Sequence, residues 1–288
     1  MSWYPLGSRP PRDLIGARLE LHHAIQLPAL AIGKALLRRR EDDSQTALTW
    51  RPDATQWVSE PIPYSQGLSA GLRPEGLILT LGRDAAPAAR SLALTDVTLE
   101  QALSWLRDGL RAEGIDPKPV RLEPHYALPA HPVADHGAAF RGGILPGAAE
   151  LGRYFANADD LLADLACEEG EASPILTWPH HFDIGRLLPA GPRKNRLAKT
   201  IGIGMSAGDT TYPEPYFYAN TYPRPEAQRL PALSLGHWHT EGFFAAVLTA
   251  TELLDGSASS TQRMQVQRFF EQAIGAAQEM LTDAYAVG

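Results

Sequence analysis

Lys199-Thr200-Ile201-Gly202-Ile203-Gly204-Met205-Ser206-Ala207-Gly208 is the stretch whose reading decides what kind of fold this chain makes. Its glycines superficially resemble a dinucleotide-binding fingerprint, which would need a parallel strand before it and a helix after it. The residues that follow are Asp209-Thr210-Thr211-Tyr212-Pro213, not an amphipathic helix, so the fingerprint reading fails. At period two the same residues make sense. Ile201, Ile203 and Met205 alternate with Thr200, Gly202 and Gly204, the pattern of a half-buried strand.

Outward from that strand, further strands are expected near 174–187, 213–222 and 235–248. An extended stretch at 46–58 and a short apolar strand, Leu77-Ile78-Leu79-Thr80-Leu81, precede them. Helices are expected at 13–40, kinked or broken into two pieces at Pro28, at 147–169 and at 260–282. The clearest helix starts at a Thr98/Gln101 capping box. It carries Leu99, Leu103, Leu106 and Leu110 as a stripe and stops at Gly114 and Pro117. The expected class is therefore α+β, a single domain over 1–288 with an antiparallel sheet covered by about four helices. Leu-Thr-Trp occurs at 48–50 and again at 176–178, each in the same order of elements. This suggests two related halves, 13–123 and 147–284, joined by the Pro-, Gly- and His-rich loop 124–146.

With 288 residues, 44% hydrophobic and 20% charged, the chain has the composition of a globular protein. A net charge of -7 argues against nucleic-acid binding, which needs a larger basic footprint than Arg38-Arg39-Arg40 and Arg193-Lys194-Asn195-Arg196 supply. Cys167, the single cysteine, beside Glu168 and Glu169, reads as a buried inert thiol in a reducing compartment. The N-terminus lacks the features of a signal peptide and no long apolar run is present, so the expectation is a cytoplasmic protein with no membrane partner. Oligomeric state is not legible.

Chemistry concentrates in Trp178-Pro179-His180-His181-Phe182-Asp183 and Gly236-His237-Trp238-His239-Thr240-Glu241-Gly242. Read as strands, they put His237, His239 and Glu241 on one face and pair His181 with Asp183 on another. His237 and His239 are candidate ligands of a divalent metal, Zn or Fe, with Asp183 or Glu241 completing the set. A metal-free polar pocket and a purely structural hydrogen-bond network are the other two readings. In Glu214-Pro215-Tyr216-Phe217-Tyr218-Ala219-Asn220, alternation places Glu214, Tyr216, Tyr218 and Asn220 on one side. The candidate catalytic set is His181, Asp183, Tyr216, Tyr218 and Glu241, with Tyr or a His–carboxylate pair moving protons. His22 and Gln26, one helical turn apart, are open as members of the site. His23 reads as an ordinary helix-face residue, and His125, His131 and His136 as exposed loop residues.

These same segments, with Leu21-His22-His23-Ala24-Ile25-Gln26, Gly33-Lys34 and Glu214-Pro215-Tyr216-Phe217-Tyr218, resemble an uncharacterised bacterial family over residues 21 to 242. The resemblance implies one globular α+β protein and no assigned reaction. It also implies that the Phe-Asp of the middle motif outlasts its histidines in distant members, making Asp183 a sturdier candidate than His180 or His181. The function expected is a small-molecule enzyme with a His/carboxylate/Tyr pocket. The alternative is a non-catalytic protein that holds a small ligand against the tyrosine face.

Overall fold

Pro28 shapes the first helical segment. It follows a 3-10 turn (Pro11–Leu14) and runs as α1 (Ile15–Ala24), α2 (Gln26–Pro28) and a π-helical stretch, Ala29–Lys34. A proline has no N–H to give to the preceding turn, and the widened winding begins immediately after it. The segment therefore ends before Arg38-Arg39-Arg40, which lies beyond the helix. The computed structural model describes residues 3–83, 90–165, 172–190, 199–225, 230–255 and 258–283. Cys167 and the 193–196 basic run, both singled out above, lie outside the described residues.

The chain forms two compact units, with the division passing through a helix. The first comprises Asp13–Gly152 and Leu176–Phe182, the second Met1–Arg12, Arg153–Ile175 and Asp183–Gly288.

In the first unit, β1 (Thr49–Arg51), β2 (Gln56–Val58), β3 (Leu68–Arg73), β4 (Ile78–Arg83) and β5 (Arg90–Ala93) form a five-stranded sheet in that order. All its pairings are antiparallel. The 46–58 stretch is a hairpin rather than one extended run, because Pro52-Asp53 supplies a turn and Thr55 takes φ +46. Trp57, Leu72, Leu79 and Leu92 stand in one cross-strand row. Trp57 also meets Trp50 edge-on at 5.2 Å. α3 (Leu99–Ala112) has the capping box expected of it: Gln101 N–H donates to the Thr98 hydroxyl and Thr98 N–H to the Gln101 side chain. Gly109 lets α3 approach the sheet, since a Cβ there would sit 2.6 Å from Leu81. The 124–146 loop holds a short helix, α4 (Pro132–Asp135), and a 3-10 turn, Gly142–Ile144, that leads into α5 (Leu145–Asp164). β6 (Leu176–Trp178) belongs to this unit as well. Leu48 and Thr177 exchange two backbone hydrogen bonds, so the two Leu-Thr-Trp segments lie side by side.

In the second unit, β7 (Asp183–Pro189), β8 (Thr200–Ser206), β9 (Tyr216–Tyr222), β10 (His237–His239) and β11 (Ala245–Thr249) pair antiparallel in the order β7-β8-β9-β11-β10. A short helix, α6 (Ala250–Leu254), opens on a second capping box, Thr249/Glu252, and α7 (Gln262–Asp283) is the last helix. The alternation that decided the fold is realised in β8. Ile201, Ile203 and Met205 are fully buried on one face, and Phe217 beside them meets Phe270 of α7 at 6.0 Å. The other face carries Gly202, Gly204 and Ser206. Both units thus combine an antiparallel sheet with helices, the α+β class read from the sequence. Among the described residues, no helix is long and apolar enough to cross a membrane.

Candidate functional site

The register of the second sheet builds its tyrosine-bearing face row by row, because directly paired residues share a face. Asp183, Ser206, Tyr216 and Thr249 form the first row. Gly185, Gly204, Tyr218, Val247 and His237 form the second, and Leu187, Gly202, Asn220, Ala245 and His239 the third. The glycines explain themselves here. A Cβ on Gly185 or Gly204 would come within 2.8 or 2.6 Å of the Tyr218 hydroxyl, and one on Gly202 within 2.3 Å of Asn220 Oδ1. Glycine opposite a long polar side chain lets that side chain lie flat across the sheet.

Tyr218 uses this space to donate to Asp183 Oδ2 at 2.5 Å, a charge-assisted bond across an intervening strand. Tyr216 donates to Asp209 Oδ2 at 2.7 Å, and Asp209 Oδ1 accepts from the N–H groups of Thr211 and Tyr212. Burial first, then the carboxylates, push the ionisation of both phenols well above the ordinary tyrosine value. Both hydroxyl protons are committed to carboxylates, so these two tyrosines position the face.

The anchored loop carries Tyr212 to the sheet edge, where its hydroxyl meets both edge-strand imidazoles. His237 Nε2 and His239 Nδ1 each lie 2.9 Å from Tyr212 Oη. The far nitrogens are engaged as well: His237 Nδ1 is 3.0 Å from Glu252 Oε1, and His239 Nε2 is 2.5 Å from the Glu241 carbonyl. Glu252 is held in turn by Thr249 through its N–H and hydroxyl. Phe243 stacks on His239 at 4.1 Å. Partial burial, then the charges of Glu252 and Asp209, raise the ionisation of Tyr212 above its usual value.

Protons decide what this array can do. The Glu252 carboxylate and the Glu241 carbonyl only accept, so closing all four contacts as hydrogen bonds takes four protons. Two neutral imidazoles and a phenol bring three. The array therefore accommodates one further positive charge, either a proton or a cation.

Several expectations need correction. Phe182 takes φ +54 and its N–H closes a turn onto the Trp178 carbonyl, so 179–182 is a turn and His181 shares no strand face with Asp183. His181 lies in the first unit, exposed, its ring 4.2 Å from that of His180. Glu241 follows the end of β10 in a turn through Gly242 (φ +77), exposed, and it contributes its carbonyl to the array. Glu214 precedes β9, and its carboxylate accepts from the N–H and hydroxyl of Thr251 at the start of α6. Asp183 stands four strands from His237, about 19 Å at the usual inter-strand spacing, which is too far for one coordination sphere. Among the described residues, no three His, Cys, Asp or Glu side chains form a group able to hold a metal. The third group between His237 and His239 is Tyr212. Tyr212, Asp209 and Glu252 went unread in the sequence. The visible signal was Thr249-Ala250-Thr251-Glu252, a Thr-x-x-Glu capping box one strand after the His-x-His segment.

The remaining histidines organise the first unit. His22 Nε2 and Gln26 Nε2 both donate to the Pro179 carbonyl, at 2.9 and 2.8 Å, and Tyr126 donates to Gln26 Oε1. They hold the Trp178–Phe182 turn. Burial foremost lowers His22 to a pKa of about 4, and burial followed by the neighbouring His181 does the same for His180. His23 is buried and donates to the Pro129 carbonyl, so it is not an ordinary helix-face residue. His125, tied to Asp43, and His136 are exposed as expected, whereas His131 is half-buried and stacks on His23. One face of this unit's sheet carries an open pocket of about 200 Å³ lined by Arg51, Gln56, Ser69, Thr80 and Arg83 among others.

No protein-family model, curated protein or solved structure matches the chain.

Proposed function

We propose that the second unit is the catalytic part of a cytoplasmic small-molecule enzyme, and that proton transfer at the edge of its sheet is the chemistry. One observation carries this reading: His237 and His239 converge on the Tyr212 hydroxyl, and each imidazole is backed by a fixed acceptor. A carboxylate behind an imidazole sets its tautomer and stabilises its charged form, as in general acid–base catalysis. His237 and Glu252 keep 42% and 39% of their side-chain surface in solvent, so a substrate has access to them. In this reading Tyr212 and His237 exchange the proton, while Asp183, Tyr218, Tyr216 and Asp209 hold the face and the loop in place. The acidic balance of the chain supports a small molecule rather than nucleic acid as partner.

Deuterium wash-in is the direct test. Purified protein is incubated in D2O with a panel of ketones, 2-oxo acids and hydroxy acids, and exchange is followed by NMR. Exchange above background for at least one substrate class is expected, slowed about 100-fold or more by His237→Gln and by Tyr212→Phe. Absence of exchange across the panel, or exchange indifferent to both variants, would remove the reading. A ligand-binding role on the same face is favoured by Leu187 and Tyr222, which stand 51% and 59% exposed beside Asn220. Panel compounds that shift resonances of β7 to β9 without exchanging would select it.

A further inference from the structure

We propose that His237 Nε2, His239 Nδ1 and the Tyr212 oxygen are the three protein donors of a site for a divalent transition-metal cation of the zinc class. This rests on the sheet edge being the reaction site, with the ion taking the place of the proton shared by Tyr212 and His237, and its test needs no turnover.

The tautomers are decisive. A backbone carbonyl can only accept, so His239 places its single N–H on Nε2 toward Glu241 and directs the Nδ1 lone pair at Tyr212 Oη. Glu252 likewise takes the N–H of His237 Nδ1 and leaves the Nε2 lone pair aimed at the same oxygen. Two lone pairs thus converge on one phenol oxygen, whose single proton satisfies only one of them. A cation seated between these donors would bind both imidazole nitrogens and the Tyr212 oxygen as phenolate, the phenol proton being released to solvent, and would leave both ring N–H groups with their partners. Metal-bound histidines characteristically donate their second N–H to a carboxylate or backbone carbonyl, and both of these do.

Spacing and field agree. Donors bound to zinc at about 2.1 Å stand roughly 3 to 3.4 Å apart, so the two 2.9 Å separations need to open only slightly. Nitrogen and oxygen donors suit zinc, iron or copper rather than calcium or magnesium. The Glu252 carboxylate behind His237 and the Asp209 carboxylate that anchors the Tyr212 loop supply negative charge beside the trio, which favours a cation there. Rigidity comes from outside the trio: Phe243 stacks on His239, Thr249 holds Glu252, and Tyr216 with Asp209 holds the loop of Tyr212. Three protein donors at a solvent-accessible edge leave a position for water or substrate, the pattern of catalytic rather than structural zinc. This replaces Asp183 and the Glu241 carboxylate, the third ligands expected from the sequence, with Tyr212.

The experiment is titration of chelator-treated, dialysed full-length protein with Zn²⁺ by calorimetry and with Co²⁺ by visible absorption. One equivalent is expected to bind, with Zn²⁺ displacing Co²⁺. Tyr212→Phe and His239→Ala should each weaken binding at least about tenfold, and Glu252→Gln about 10–100-fold. Tyr64→Phe, at a fully exposed tyrosine of the first unit, should leave binding unchanged. Histidine ring ¹⁵N shifts on the wild-type protein locate the ion independently of variants that fail to fold. Perturbation of His237 Nε2 and His239 Nδ1 supports the site. Lack of stoichiometric binding, binding insensitive to Tyr212→Phe in a folded variant, or perturbation of His180 and His181 instead would overturn it. Deuterium exchange by the metal-free protein, unchanged by added Zn²⁺, would sink the cation while sparing the enzyme. Tight binding without exchange on any substrate would do the reverse.

Discussion

The two sheets use one device to different ends. In the first unit Gly71 pairs with Thr80, and in the second Gly204 pairs with Tyr218, each glycine making room for the polar side chain opposite. Thr80 is short and its hydroxyl reaches no farther than Gln56, at 3.3 Å. Tyr218 is long and crosses β8 to Asp183. Strand order differs too. The first sheet follows the chain, whereas in the second β11 inserts between β9 and β10 and leaves the His-x-His strand at the edge. Tyr212 reaches the imidazoles of that strand across the face of the sheet, packed against Tyr216, Ala245 and Val247. A glycine-cleared face is thus common to both units, and an exposed edge bearing two imidazoles is what sets the second apart.

The most damaging way to break that comparison is Gly204→Ala. Its Cβ would stand 2.4 Å from the Ile184 carbonyl and 2.6 Å from the Tyr218 hydroxyl, so backbone must move and the Asp183 bond is lost. A loss of about 3 kcal/mol or more is expected in urea unfolding. Gly71→Ala, with its nearest atom at 2.8 Å, should cost visibly less. Equal costs would show that the long side chain of Tyr218 adds nothing to the constraint.

A pH-gated loss of similar size belongs to the first unit. His22 ionises at about 4 in the folded chain against 6.5 unfolded, chiefly through burial. Between those values the unfolded chain binds the proton and the folded one does not. Stability is therefore full above about pH 6.5, declines as pH falls, and levels near pH 4, by up to about 3 kcal/mol. His22→Gln should flatten this slope in unfolding measured from pH 7.5 to 4. A slope unchanged by the substitution would refute the assignment.

Capping boxes give a matched pair. Thr98→Ala and Thr249→Ala should each destabilise by about 1 kcal/mol. Only the second should also shift the ring resonances of His237, because Thr249 holds the Glu252 that faces it. The smallest effect is a gain. A Cβ added at Gly275 in α7 would meet no atom within 4 Å, and Gly275→Ala should stabilise by about 0.5–1 kcal/mol in thermal unfolding.

Much of the fold was legible because period and capping are local properties. The β8 alternation, the Thr98/Gln101 box, the end of α3 at Gly114 and the tyrosine side of β9 all follow from residues within a few positions of one another. β3 was missed because Leu68-Ser69-Ala70-Gly71-Leu72 is small and weakly patterned, and is a strand by virtue of its neighbours. The site was half legible. His237 and His239 share a face as two residues apart in a strand must. Extending that alternation to His181 and Glu241 failed, since a left-handed Phe182 and the turn at Gly242 interrupt the strands.

By itself the sequence determined the antiparallel class, the helix limits at Thr98 and Gly114, and the two imidazoles on a single face. Those depend on backbone period and on hydrogen bonds between near neighbours. Only tertiary structure decided that Tyr212 and Glu252 flank the imidazoles and that Asp183 lies about 19 Å away across the sheet. Strand order and loop placement, which bring such partners together or keep them apart, are set by packing between segments distant along the chain.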